Sequence, residues 1–124
     1  MNTIAFQGPQ GNSISITAAG SGPTLILLHG FPLDHQLWQD QLAVLSEHYQ
    51  VLAPDFRGFG KSSLSEHPYK LSDLADDVEA VRQHLAPNQP VVLCGLSMGG
   101  YVAFEYWLRH AEQLRGLILA NTKP

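Results

Sequence analysis

Val91-Val92-Leu93-Cys94-Gly95-Leu96-Ser97-Met98-Gly99-Gly100 joins a continuously apolar run to a Gly-x-Ser-x-Gly turn, and a helical pattern follows at once. Such a run reads as a strand covered on both faces. A strand that reverses into a helix through this turn is a nucleophile elbow, in which the serine backbone is forced into a strained conformation. Gly95 and Gly99 fit that geometry because side chains there would collide with neighbouring backbone. The strain leaves the Ser97 hydroxyl standing at the strand tip. It also places Ser97 at a helix N-terminus, where the dipole favours developing negative charge.

Outward from the elbow, apolar runs and helical patterns alternate. Residues 24–28, 51–53 and 117–120 are continuously apolar, like 91–94. Trp38, Leu42 and Leu45 sit at i, i+4 and i+7. Leu74, Val78, Val81 and Leu85 extend the same spacing over three turns, with Ser72 expected as N-cap and Asp73, Asp76 and Asp77 near the positive end of the dipole. A third helix is expected from Gly99 to His110. It is apolar nearly all round and is therefore expected to be deeply packed. Strand, helix, strand in this repetition implies right-handed crossovers and a parallel sheet. Before it, residues 4–6 and 13–17 flank the turn cluster Gly8-Pro9-Gln10-Gly11-Asn12 and predict an antiparallel hairpin with one wet face. The expected class is α/β: a hairpin followed by parallel strands with helices on both faces. Residues 32–34 and 62–69 read as loops.

The chain has 124 residues, which limits it to one domain. At 44% hydrophobic and 15% charged it can bury a core. Its formal charge of −4 and lack of a basic run argue against nucleic acid or an anionic membrane as partner. One cysteine excludes an internal disulfide and a cysteine zinc cluster. No stretch has metal-ligand spacing, so neither metal nor cofactor is expected. The first residues lack a cationic and apolar leader, and no apolar run reaches the roughly 20 residues of a span, so a cytoplasmic protein is expected.

Two further segments bear on chemistry. His29-Gly30-Phe31-Pro32 ends the run 24–28. Acyl transfer builds an oxyanion, and each backbone N–H aimed at it typically contributes about 100–1000-fold. The Met98 and Phe31 N–H groups are the two candidates, with the Phe31 ring free to act as a hydrophobic lid. Asp55-Phe56-Arg57-Gly58-Phe59-Gly60-Lys61-Ser62 contains a Gly-Lys-Ser, but Asp55 stands where a phosphate-binding loop needs its first glycine, and no helix starts at Lys61. The glycine spacing after Cys94 also fails the dinucleotide pattern. Asp55 and Arg57 are read as loop-ordering groups near Ser97. Cys94 is read as a small core hydrophobe, and Trp38 and Trp107 as core anchors.

His29-Gly30-Phe31-Pro32-Leu33-Asp34, the segment from Asp55 to Ser62, and Gly95-Leu96-Ser97-Met98-Gly99-Gly100 together resemble the three N-terminal motifs of the α/β-hydrolase superfamily. Order and spacing are similar to the branch of small carboxylesterases, lactonases and cofactor-free haloperoxidase-like enzymes. The resemblance implies that residues 1–124 are the N-terminal part of a single α/β-hydrolase domain, with cap and C-terminal strands absent. It implies Ser97 as nucleophile of a small ester-like substrate, with the Phe31 and Met98 amides as oxyanion hole. His29, Gly30, Gly95 and Gly99 support that site. Esterase, lactonase and perhydrolase uses remain alternatives. The family's acid and base follow the strand matching 117–120, so the chain ending at Pro124 is expected to be weak or inactive alone. Of the six histidines, only His29 and the loop-borne His35 are candidates for a substitute base, and a strand-end histidine more often anchors a loop. His48, His84 and His110 are placed near helix C-termini and His67 on the surface. The run 116–120 has no edge-blunting charge before Lys123, which predicts a homo-oligomer or a companion chain carrying the C-terminal half. The alternative is a non-catalytic half-domain that folds by self-association or with a companion chain.

Overall fold

Side-chain alternation along β3 (Thr24–Leu28) sets the layers of the molecule. A computed structural model of the chain describes residues 1–122. Ile26 and Leu28 point to one side of the sheet, where they join Leu74, Val78 and Val81 of α2 (Leu71–Leu85) and Val102, Ala103 and Tyr106 of α3 (Met98–His110). Leu25 and Leu27 point to the other, where Trp38 and Leu42 cover them. Those two belong to a 3-10 turn (His35–Trp38) and the short α1 (Gln39–Leu45). Each fully buried leucine or isoleucine contributes roughly 1.5–3 kcal/mol of transfer free energy.

The sheet has six strands in the order β1-β2-β4-β3-β5-β6. β1 (Asn2–Gln7) and β2 (Ser13–Ala19) form the expected hairpin, with Phe6 opposite Ile14. β2 also runs antiparallel to β4 (Gln50–Pro54), while β3, β4, β5 (Val91–Leu96) and β6 (Leu114–Ala120) are mutually parallel. The α/β architecture with helices on both faces is therefore the one found.

Five expectations need correction. The hairpin's wet face is confined to β1, because Ser15 and Thr17 of β2 are buried. The loop after Asp55 lies across β2: the Ser62 hydroxyl accepts from the Ser15 N–H at 2.9 Å. α2 starts at Leu71, and Ser72 is not its cap. The Asp73 carboxylate accepts the Lys70 N–H at 2.8 Å, satisfying an orphan donor from inside the first turn. α3 is not deeply packed all round, and Trp107 is not a core anchor. Val102, Ala103 and Tyr106 are buried, but Trp107 is 47% exposed and Leu108 66%, because nothing among the described residues lies on that side. β6 is not covered on both faces either: it is the outermost strand, and Ile118 is 52% exposed. Lys123 and Pro124 lie outside the described residues.

Two buried polar clusters hold α2 in place. Arg57 grips the Asp77 carboxylate with two bonds, at 2.8 and 3.1 Å, and its guanidinium lies over the Tyr69 ring. Arg82 does the same to Glu79, whose carboxylate also accepts the Tyr106 hydroxyl at 2.6 Å.

Candidate active site

The turn between β5 and α3 carries the geometry that the glycine spacing predicts. Ser97 has φ 55 and ψ −114, a conformation L-residues avoid. A Cβ on Gly95 would run into the Gly99 carbonyl, and one on Gly99 into the carbonyls of Leu28 and His29. The serine is exposed, and its backbone is pinned. Its N–H donates to the Ala120 carbonyl at 3.1 Å, and its carbonyl accepts the Gly100 N–H at 2.9 Å and the Thr122 hydroxyl at 3.0 Å. The end of β6 thus braces the elbow.

Around Ser97 lies an open hollow of about 370 Å³ lined with Tyr101, Asn121 and Thr122. Asn121 has φ 52, so the only two non-glycine residues with positive φ among the described residues border this hollow. Sequence reasoning missed these three liners. Tyr101 is one helical turn beyond Ser97 and was traceable by i+4 spacing. Asn121 and Thr122 arrive from β6, and only the parallel pairing of β5 with β6 brings them near.

The loop after β3 lies against the same spot. A Cβ on Gly30 would sit 3.3 Å from the Ser97 Cβ and 3.9 Å from its Oγ, so glycine there keeps the loop close. Among the described residues, neither the Phe31 N–H nor the Met98 N–H has a hydrogen-bond partner. The Phe31 side chain is 66% exposed and meets the Phe59 ring edge-on.

His29 is fully buried. Its Nε2 accepts the Phe56 N–H at 3.0 Å, so Nδ1 carries the proton and donates to the Gly30 carbonyl at 2.9 Å. Both nitrogens are engaged, so His29 is a loop anchor and not a free base. Burial holds its pKa below the ordinary imidazole value of 6.5, against the raising effect of the Gly30 bond. The folded state therefore binds less proton than the unfolded chain near that value. Stability is full above about pH 6.5 and declines as pH falls toward the folded value. Thermal unfolding followed from about pH 7.5 to about pH 5.5 is expected to show a falling midpoint, with a flatter slope in His29→Gln. An unchanged slope in that variant contradicts the assignment.

His35 bonds to Asp55, His110 to Asp76, and His84 stacks on Phe6. His48 and His67 are exposed. Among the described residues no histidine reaches the Ser97 hydroxyl. Asp34, His35 and Asp55 bring ligand-type atoms within 4.8 Å of one another, a grouping the sequence spacing hides. A cation there would have to displace the N–H donors that both Asp55 oxygens and the Asp34 Oδ1 already accept. Lys61 and Ser62 lie in a loop, with no helix until Leu71, so no phosphate-binding loop forms. Cys94 is half-buried against the α1-side core, and burial pushes its thiol pKa up. No helix among the described residues is long and apolar enough to cross a membrane.

Residues 23–124 match the family model for the alpha/beta hydrolase fold. The chain belongs to the alpha/beta hydrolase fold family. This hydrolase-fold chain is 38% identical over 113 residues to a pimeloyl-[acyl-carrier protein] methyl ester esterase of Aeromonas hydrophila subsp. hydrophila, covering 90% of its own length and 42% of that protein's. Among solved structures, it superposes on a thermophilic esterase from Thermogutta terrifontis with a TM-score of 0.91 at 35% identity, over 99% of this chain and 46% of the other. The epoxide hydrolase CorEH superposes with a TM-score of 0.93 at 29% identity, over 99% of this chain and 43% of that one. The chain thus spans less than half the length of each of these proteins. Esterases and an epoxide hydrolase share the fold, so chemistry must be argued from the site.

Proposed function

We propose that this chain carries the nucleophile and the oxyanion hole of a serine esterase, with Ser97 attacking small ester-type substrates. The observation that carries the reading is the strained, exposed Ser97 beside two main-chain donors, Phe31 and Met98, that have no partner among the described residues. In the reaction, a base takes the Ser97 proton as Oγ bonds to the carbonyl carbon. The carbonyl oxygen becomes an oxyanion held by the two amides. Collapse breaks the ester C–O bond, and the alcohol leaves with the proton from the base. Water then attacks the acyl-serine and releases the acid, restoring the hydroxyl.

The base is a histidine that residues 1–122 do not supply. Loss of the base in a triad enzyme costs on the order of a million-fold, while an oxyanion hole alone leaves about 10³–10⁴ over water. The chain by itself is therefore a weak catalyst. The outer edge of β6 and the exposed Ile118, Trp107 and Leu108 support a companion polypeptide or second copy seated there, since an apolar unpaired edge invites pairing. That uncovered surface also favours the second reading, a non-catalytic half-domain that folds by association.

Hydrolysis of p-nitrophenyl acetate separates the two. The catalytic reading predicts slow turnover above the background of free imidazole, which hydrolyses this ester by itself; that excess rises with added imidazole in place of the missing base and is lost in Ser97→Ala. An excess rate that survives Ser97→Ala unchanged, or no excess over the protein-free imidazole control, favours the non-catalytic half-domain.

A further inference from the structure

We propose that His35 and Asp55 are positioning residues for the reaction assigned above to Ser97: they clasp the far end of the loop that carries the Phe31 N–H. The inference rests on that reading of the site.

Asp55 stands at the end of β4, and its side chain is 1% exposed. Its Oδ1 accepts the His35 N–H at 2.8 Å and the His35 Nδ1–H at 2.9 Å. Its Oδ2 lies 3.0 Å from the same Nδ1 and accepts the Lys61 N–H at 3.0 Å. A carboxylate only accepts, so Nδ1 carries the proton. Gly60, at φ 52, packs so tightly on this carboxylate that a Cβ would overlap it. Asp55 is thus a buried anchor with its lone pairs filled by donors from two loops.

The near end of the oxyanion loop is fixed by His29, which accepts the Phe56 N–H and donates to the Gly30 carbonyl. The far end is fixed by His35 on Asp55. Two consecutive residues of one strand end, Asp55 and Phe56, therefore hold both ends of the segment 30–34. Inside it, the Leu33 N–H donates to the Gly30 carbonyl at 2.9 Å, and the Asp34 carboxylate caps the Gln36 N–H at 2.8 Å. Phe31 is in the middle, with its N–H unpaired among the described residues. An oxyanion donor must lie within about 2.7–3.1 Å of the oxygen it will meet. A displacement of about 1 Å costs roughly 100-fold. Releasing the clasp moves Phe31 and leaves Met98 in place, because Met98 belongs to α3.

The test uses the full chain, with His35→Ala and His35→Asn; the asparagine amide can replace the Nδ1–H donor. Two quantities are read: kcat and KM for p-nitrophenyl acetate with imidazole, and amide proton exchange along the backbone. In His35→Ala, kcat is expected to fall 10- to 100-fold at an unchanged KM. The hydrogen-bonded amides of Leu33 and His35 should exchange faster while those of β5 and α3 keep their rates, and His35→Asn should recover most of kcat. An unchanged kcat in His35→Ala overturns the role assigned to the His35 side chain and leaves the Ser97 reading standing. Faster exchange throughout the sheet also overturns it, since His35 would then act on stability alone. If wild-type turnover is indifferent to Ser97→Ala, the Ser97 reading fails and the clasp's role fails with it.

Discussion

Ser97→Gly is expected to stabilise the fold while it abolishes the chemistry. At φ 55 and ψ −114 a residue with a Cβ is strained by about 1–3 kcal/mol, and glycine is not. Part of that gain is lost to the greater freedom of glycine in the unfolded chain, about 0.5–1 kcal/mol. The net gain of roughly 1 kcal/mol should raise the midpoint of thermal unfolding by a few degrees. Ser97→Ala keeps the Cβ and should give no such rise. Both variants remove the nucleophile, so turnover above the free-imidazole background should disappear in both. Melting curves and ester hydrolysis on the three proteins check the pair of effects. A glycine variant less stable than wild type would mean that the elbow is not strained.

Glu79→Ala is expected to have the largest effect on stability. It leaves the Arg82 guanidinium and the Tyr106 hydroxyl buried without their shared partner. Removing one member of a buried ion pair costs about 3–5 kcal/mol, a large part of the 5–15 kcal/mol that holds a typical domain. Burial alone would raise the Glu79 carboxyl pKa, but the Arg82 and Tyr106 bonds outweigh it and hold it below its ordinary value of 4.5. Its contribution is therefore complete above about pH 4.5 and is lost as pH falls through the lower folded value. The Tyr106 hydroxyl is pushed up by the same burial and by donation to Glu79, so it stays protonated throughout. Urea unfolding of Glu79→Ala and Glu79→Gln measures the effect. A loss under about 1 kcal/mol in the alanine variant would show that the cluster is not a principal stabiliser of the α2–α3 packing.

The elbow was legible because its signals are local: an apolar run, two glycines at fixed spacing and a helix pattern lie within one short segment. Layer packing was legible for the same reason, since Leu25 and Leu27 against Ile26 and Leu28 follow from period-two alternation. The failures share a different cause. Ser72 looked like a cap, but Asp73 reaches back to the Lys70 N–H and wins that donor. The apolar residues of α3 gave no sign of which would face the core, since periodicity cannot say what lies opposite; Tyr106 is buried and Trp107 is not. His35 and Asp55 are far apart in the chain and meet only because β3 and β4 are neighbours. Asn121 and Thr122 reach the hollow by the pairing of β5 with β6.

Reaction with a fluorophosphonate, followed by peptide mass mapping with and without imidazole, tests the nucleophile most directly. The expected result is a single adduct on Ser97, slow for the chain by itself and faster as imidazole is raised. An adduct on another residue, or no adduct on Ser97 at any imidazole concentration, would contradict the assignment.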